Sequence, residues 1–243
     1  GCILFYTQHL FRVHAPPCAR LGSPPMKKIE SLIDGFVRFQ HRYFEESPEL
    51  YRELCSGQHP SALLIGCCDS RVDPALLLGC DPGDLFTTRN IANLVPPPGQ
   101  VAGPQGILAA IQFAVDDLNV ERIIVLGHSQ CGGIRALMQG RAAHDRPADH
   151  VSRWIDIATP VRDLVLRQLP HASEEERCRA CEQASILMSL KNLRRMENVA
   201  SRVEDDSLTL HGWYFDMAAG SLMEYCDTQD AFLPISTAIE TRT

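Results

Sequence analysis

"RIIVLGHSQCGG", residues 122–133, passes from an apolar run straight into a histidine, a cysteine and two glycines. A short β-branched run with polar ends reads as a buried strand, and "SALLIGC" (61–67) and "DLFTTRN" (84–90) read the same way. Between 84–90 and 122–128 lies "GPQGILAAIQFAVDDLN" (103–119), in which Ile107, Leu108, Ile111, Ala114, Val115 and Leu118 mark one helical face. Strand, helix, strand implies a parallel pair joined by a right-handed crossover. The expected class is α/β: a mostly parallel β-sheet core flanked by helices.

The rest of the chain fits that frame. From Met26, the residues Ile29, Leu32, Ile33, Phe36, Val37 and Phe44 recur at helical spacing, predicting one helix that ends before Pro48. Ser173 with Glu176 has capping-box spacing and opens a long helix to about Met196. "SLTLHGWYFDM" (207–217) and "SLMEYC" (221–226), separated by Ala-Ala-Gly, predict a hairpin at a sheet edge. Residues 1–25 turn Pro-rich before Met26 and read as an extra N-terminal arm or upstream segment, leaving 26–243 as a single domain.

Composition narrows the partners. A formal net charge of −7 argues against a protein that grips nucleic acid or anionic lipid, both of which demand a basic face. No run reaches the ~18 apolar residues of a spanning helix. The 10 cysteines are too sparse in 243 residues for a stapled secreted scaffold, so a reducing, cytoplasmic setting is expected, with some thiols used for metal or chemistry.

In an open α/β sheet, ligands sit beyond the carboxyl ends of the parallel strands, where the polar strand ends collect. His128 and Cys131 stand on one tight turn, Gly132 and Gly133 let a helix start close by, and a thiol at that helix N-terminus has a lowered pKa. With Cys67 at the end of the first strand they make a Cys₂His set that suits Zn²⁺ and leaves a fourth position open, as a catalytic rather than structural site does. Beside Cys67, Asp69 can accept a hydrogen bond from zinc-bound hydroxide or swing onto the metal, and Arg71 can hold it off bidentately.

Cys-x-Asp-Ser-Arg at 67–71, followed by His-x-x-Cys-Gly-Gly at 128–133, resembles the β-class carbonic anhydrases; "PGDLFTTRNIANLVPP" and the CxxC-Glu helix at 178–182 extend the likeness over roughly 45–226. The resemblance implies one Zn²⁺ per chain on Cys67, His128 and Cys131. The activity it implies is reversible hydration of CO₂ to bicarbonate by attack of zinc-bound hydroxide. It also implies a four-stranded, mostly parallel sheet extended by a fifth strand, and a homodimer or homotetramer with active sites at the subunit interface. Asp69 and Arg71 fall on the gating pair, Gln58 on the substrate-facing glutamine of plant-type members, and Phe86 and Phe113 on the hydrophobic pocket. Where some bacterial members bind inhibitory bicarbonate through Trp, Arg and Tyr, this chain has Leu64, Arg89 and Phe215, which predicts the plant-like state with water in the fourth zinc position.

Blander readings compete at each point. A lone strand cysteine is more often a small buried hydrophobe than a ligand, and an Asp/Arg pair is often a surface ion pair of little worth. The CxxC at Cys178 and Cys181 lacks a partnering pair, which favours packing over redox chemistry. Rival functions are a Cys₂His alcohol dehydrogenase, for which no Gly-x-Gly-x-x-Gly follows any predicted strand, and a zinc-stabilised interaction module without catalysis.

Overall fold

The computed structural model describes residues 28–99, 106–140 and 149–235; the arm expected over 1–25 and the first residues of the 103–119 helix lie outside them. The described chain forms two compact units, one ending at His59 and the other beginning at Pro60.

In the first unit, helix α1 (Ile29–Gln40) continues through a wide π turn at 41–46, and helix α2 (Pro48–Leu54) follows. The predicted helix therefore ends where expected. Pro48 then starts a second helix that the pattern did not show, because proline at the first helical position gives up only an N–H that would be unpaired anyway. Phe39, Tyr43, Phe44 and Tyr51 stack into an aromatic cluster. The α1 stripe itself is uncovered: Leu32, Ile33, Phe36 and Val37 are each more than half exposed.

The second unit is built on one sheet, ordered β2-β1-β3-β4-β5-β6. Strands β1 (Ala62–Cys67), β2 (Leu85–Asn90), β3 (Arg122–His128) and β4 (Thr209–Asp216) pair in parallel. Strands β5 (Ser221–Cys226) and β6 (Ala231–Pro234) add antiparallel. The hairpin forms as predicted, but the sheet has six strands and not five. β6 is four residues long, too short for its alternation to stand out from the turn before it.

β1 and β3 read as continuous apolar runs because both of their faces are covered. Leu63, Ile65, Ile123 and Val125 face helices α4 (Gly106–Gln112) and α8 (Glu174–Leu193), meeting Ile107, Ile111, Ile186 and Leu190; Leu64, Ile124 and Leu126 pack on the opposite face with Trp213 and Leu222. The Ser173–Glu176 capping box is present in both directions and fixes where α8 begins. Gly127 lets α8 lie this close, since a Cβ there would stand 2.7 Å from Ile186 Cδ1. A third apolar cluster joins Cys67 and Cys131 to α5 (Gly132–Met138), α6 (His150–Ile155) and α7 (Thr159–Gln168).

Candidate metal centre

Parallel register decides the site. Cys67 is the last residue of β1 and His128 the last of β3, its neighbour, so two donors emerge side by side from the carboxyl edge. The chain then turns sharply through Gln130, in the left-handed region at φ 59°, and delivers Cys131 to the N-cap of α5. Gly133 makes that turn possible: a Cβ there would lie 2.7 Å from Ile91 Cγ2, so α5 could not start against the 91–93 turn. Gly132 meets nothing comparable.

The donor atoms of Cys67, His128 and Cys131 all lie within 4.8 Å of one another, and the three residues are buried. Among the described residues this is the one such cluster. His128 Nδ1 stands 2.9 Å from the Ser129 carbonyl, which can only accept, so Nδ1 carries the proton and the lone pair is on Nε2. That Nε2 is buried with no hydrogen-bond partner. A buried, unpartnered lone pair on a histidine clustered with two thiols is what a metal satisfies, so the residues present fit Zn²⁺. The thiols are unequal: donation from Cys131 holds Cys67 well below the usual thiol range, while that shared bond and burial push Cys131 up.

Around the cluster the polar groups are tied down. Arg71 donates through Nε (2.9 Å) and its backbone N–H (3.0 Å) to Asp69 Oδ1, and through Nη2 (2.7 Å) to Oδ2. It also donates 3.1 Å to the Gln130 carbonyl, linking the loop after β1 to the loop after β3. Chiefly through the Arg71 side chain, the Asp69 carboxyl is held well below the usual carboxylate range. Both oxygens of Asp69 face Arg71, the geometry expected of a carboxylate kept off the metal.

Two supports escaped the sequence reading. Arg89, considered only as part of an inhibitory anion site, donates to the carbonyls of Cys67 and Asp69 (both 2.8 Å) and to Asp73 (2.9 Å), locking the 67–73 loop from β2. Glu182 accepts the Cys131 N–H at 2.9 Å and the Tyr214 hydroxyl at 2.8 Å, and burial pushes its carboxyl up. An acid at a buried position of α8 was the available signal. Cys178 and Cys181 are buried on the same helix, the latter pushed up to about 12 by burial, as inert packing thiols are.

Of the expected substrate residues, Phe86 and Phe113 come together with ring centroids 5.8 Å apart, Phe113 remaining 44% exposed. Gln58 is exposed and belongs to the unit that ends at His59.

A family model described as carbonic anhydrase matches residues 62–222. A carbonic anhydrase of Synechocystis is 36% identical over 197 residues, covering 81% of this chain and 71% of that protein. The chloroplastic β carbonic anhydrase 5 of Arabidopsis thaliana is 39% identical over 188 residues, 77% of this chain and 62% of that one. Among solved structures, the β-carbonic anhydrase CcaA superimposes with a TM-score of 0.79 at 35% identity, over 85% of this chain and 98% of that chain. A structure from a report of two tetrameric β-carbonic anhydrases of Sordaria macrospora gives 0.69 at 30% identity, over 80% and 93%.

Proposed function

The chain belongs to the β-class carbonic anhydrases, and from that membership we propose that Cys67, His128 and Cys131 hold the single zinc ion with which it interconverts CO₂ and bicarbonate. The buried, unpartnered Nε2 of His128, on a residue whose donor atom lies within 4.8 Å of those of Cys67 and Cys131, carries the assignment. When bound, zinc supplies the charge that makes water a nucleophile near neutral pH.

The chain's own residues do the rest. Two thiolates and a neutral imidazole balance a dication, and the Ser129 carbonyl keeps His128 in the tautomer that offers Nε2. Asp69, ionised and held on both oxygens by Arg71, presents its remaining lone pairs as acceptors that orient the attacking water. Phe86 and Phe113, brought together with ring centroids 5.8 Å apart, supply an apolar wall suited to CO₂, which is small and without a permanent dipole. The released proton passes to buffer.

The working unit is a homodimer or homotetramer with the active site at the subunit interface. The tetrameric Sordaria relatives and the uncovered apolar stripe of α1 support it. Residues 26–243 act as one catalytic domain with 1–25 as an appended arm. A reducing compartment such as the cytoplasm keeps the Cys67 and Cys131 thiols available as donors. No described helix is long and apolar enough to cross a membrane.

Indicator-coupled CO₂ hydration, read beside zinc content before and after chelation, tests the assignment. One zinc per chain and activity lost and restored with the metal are expected. A folded, zinc-loaded protein with no hydration activity overturns it.

A further inference from the structure

At the other end of the parallel strands from the metal centre, a cavity of about 720 Å³ opens where β3 and β4 begin. Its lining sets the cations Arg122 and Arg202 beside the carboxylates Glu121 and Asp206, and includes Thr209 and His211. Thr209 and His211, two apart on β4, share one face of the sheet, and Arg122 stands directly opposite Thr209 in register.

These side chains form a chain of polar contacts. Glu224 Oε1, on β5, lies 2.6 Å from His211 Nδ1, and His211 Nε2 lies 2.9 Å from Thr209 Oγ1. The carboxylate only accepts, so Nδ1 carries a proton, and in that tautomer Nε2 is placed to accept from the threonine hydroxyl. The Glu121 carbonyl, at 3.4 Å, is the weaker of that hydroxyl's two acceptors. Hydroxyl, imidazole and carboxylate therefore stand in the order nucleophile, base, orienter, a constellation recognised by geometry and not by sequence position. Glu224 sits behind His211 while Thr209 and His211 line the cavity, so the nucleophile faces the space a substrate would fill. Arg202 is fixed by bonds to Ser207 and the Val115 carbonyl and forms a rigid wall; Arg122, half exposed and ion-paired with Glu121 at 3.3 Å, is the cation that stands opposite Thr209 in register.

We propose that Thr209, His211 and Glu224 form a second, metal-independent site that takes acyl groups from small carboxylic esters bearing a negative charge. Thr209 Oγ1 attacks the ester carbonyl carbon as its proton moves to His211 Nε2, and the C–O bond to the leaving group breaks, that group departing as the alcohol with the transferred proton. Water, deprotonated by His211, then cleaves the acyl-threonine ester, releasing the carboxylic acid and restoring the hydroxyl.

The test uses the zinc-loaded protein and 5-acetoxy-2-nitrobenzoate, whose leaving phenol carries a carboxylate. Thr209→Val keeps the β-branched shape of the strand, and His211→Gln and Arg122→Ala probe base and cation. Thr209→Val and His211→Gln should each lower hydrolysis about tenfold or more, and Arg122→Ala should raise KM more than it lowers kcat. Mass spectrometry of quenched wild type should find one acetyl group on the peptide containing Thr209, absent from Thr209→Val. Unchanged CO₂ hydration in every variant confirms that each is folded. Wild-type ester hydrolysis by Thr209→Val, acetylation confined to other residues, or hydrolysis abolished by a zinc chelator would overturn the proposal.

Discussion

Replacing Asp69 with Asn separates the role of this carboxylate from that of the metal. The carboxylate accepts three hydrogen bonds from Arg71, two on Oδ1 and one on Oδ2 at 2.7 Å. An asparagine oxygen in the Oδ1 place keeps the first two, but its NH₂ then faces Arg71 Nη2, donor against donor. The loss is one charge-assisted bond, worth about 1.5–3 kcal/mol where water is excluded. The Arg71 side chain is 49% exposed, so solvent screening reduces this to about 1 kcal/mol of stability. For a chain of this size that is about 2–4 °C in Tm. None of the three zinc donors is touched. The catalytic loss should be larger than the structural one, because asparagine offers water a neutral and partly wrong-handed partner: kcat/KM should fall about tenfold or more, or about 1.4 kcal/mol of barrier at least. Stopped-flow indicator assays beside metal analysis read both numbers. Full activity, or zinc lost in step with activity, would refute the reasoning. Linkage adds a sign. The folded pKa of Asp69 is depressed, so its contribution to stability is complete above its unfolded value of about 3.9 and lost as pH falls through the folded value. Acid denaturation below about pH 4 should therefore be shallower in Asp69→Asn than in wild type, with no difference between them at pH 7–8 beyond the constant offset.

Other substitutions probe the frame. Gly127→Ala forces a methyl to 2.7 Å from Ile186 Cδ1 and should cost about 1–3 kcal/mol in urea unfolding. Tyr214→Phe removes a donor from the buried Glu182 carboxylate and should cost about 1–3 kcal/mol, with zinc retained. His128→Ala should reduce zinc from one per chain to near none by metal analysis and abolish hydration. Stripping zinc from wild type with a chelator should lower Tm, and readdition should restore it, since a ligand that binds only the folded state stabilises it.

The sequence disclosed most where one physical demand acts alone. The apolar runs 61–67 and 122–128 announced buried parallel strands because both faces needed covering, and Ser173 with Glu176 announced the start of α8 because a helix start needs its N–H groups capped. Cys67, His128 and Cys131 were legible as donors since each stands at a strand end or helix start. What stayed hidden depends on long-range placement. Arg89 reads in the sequence only as the arginine of an anion site, and its grip on the Cys67 and Asp69 carbonyls exists only once β2 lies beside β1. Glu182 reads there only as the acid of the CxxC-Glu helix, and its bonds to Cys131 and Tyr214 exist only once α8 is laid beside them. β6 left no signal because its four residues hold only two periods of alternation.

These hidden contacts divide the work of the site. An open zinc site needs donors that stay converged when the fourth position changes occupant, yet strand ends and tight turns are where chains move most easily. Here each of the two loops is pinned from outside the donor set: the 67–73 loop by Arg89, the 128–131 turn by Glu182 on the Cys131 N–H, and the two to each other by Arg71 on the Gln130 carbonyl. None of these three residues offers an atom to the three-donor cluster. Arg71 thus serves two functions with one guanidinium, orienting Asp69 and tying the loops. An Arg71→Lys change, which keeps the charge but loses the fork, should therefore damage activity beyond the loss of the Asp69 pair alone.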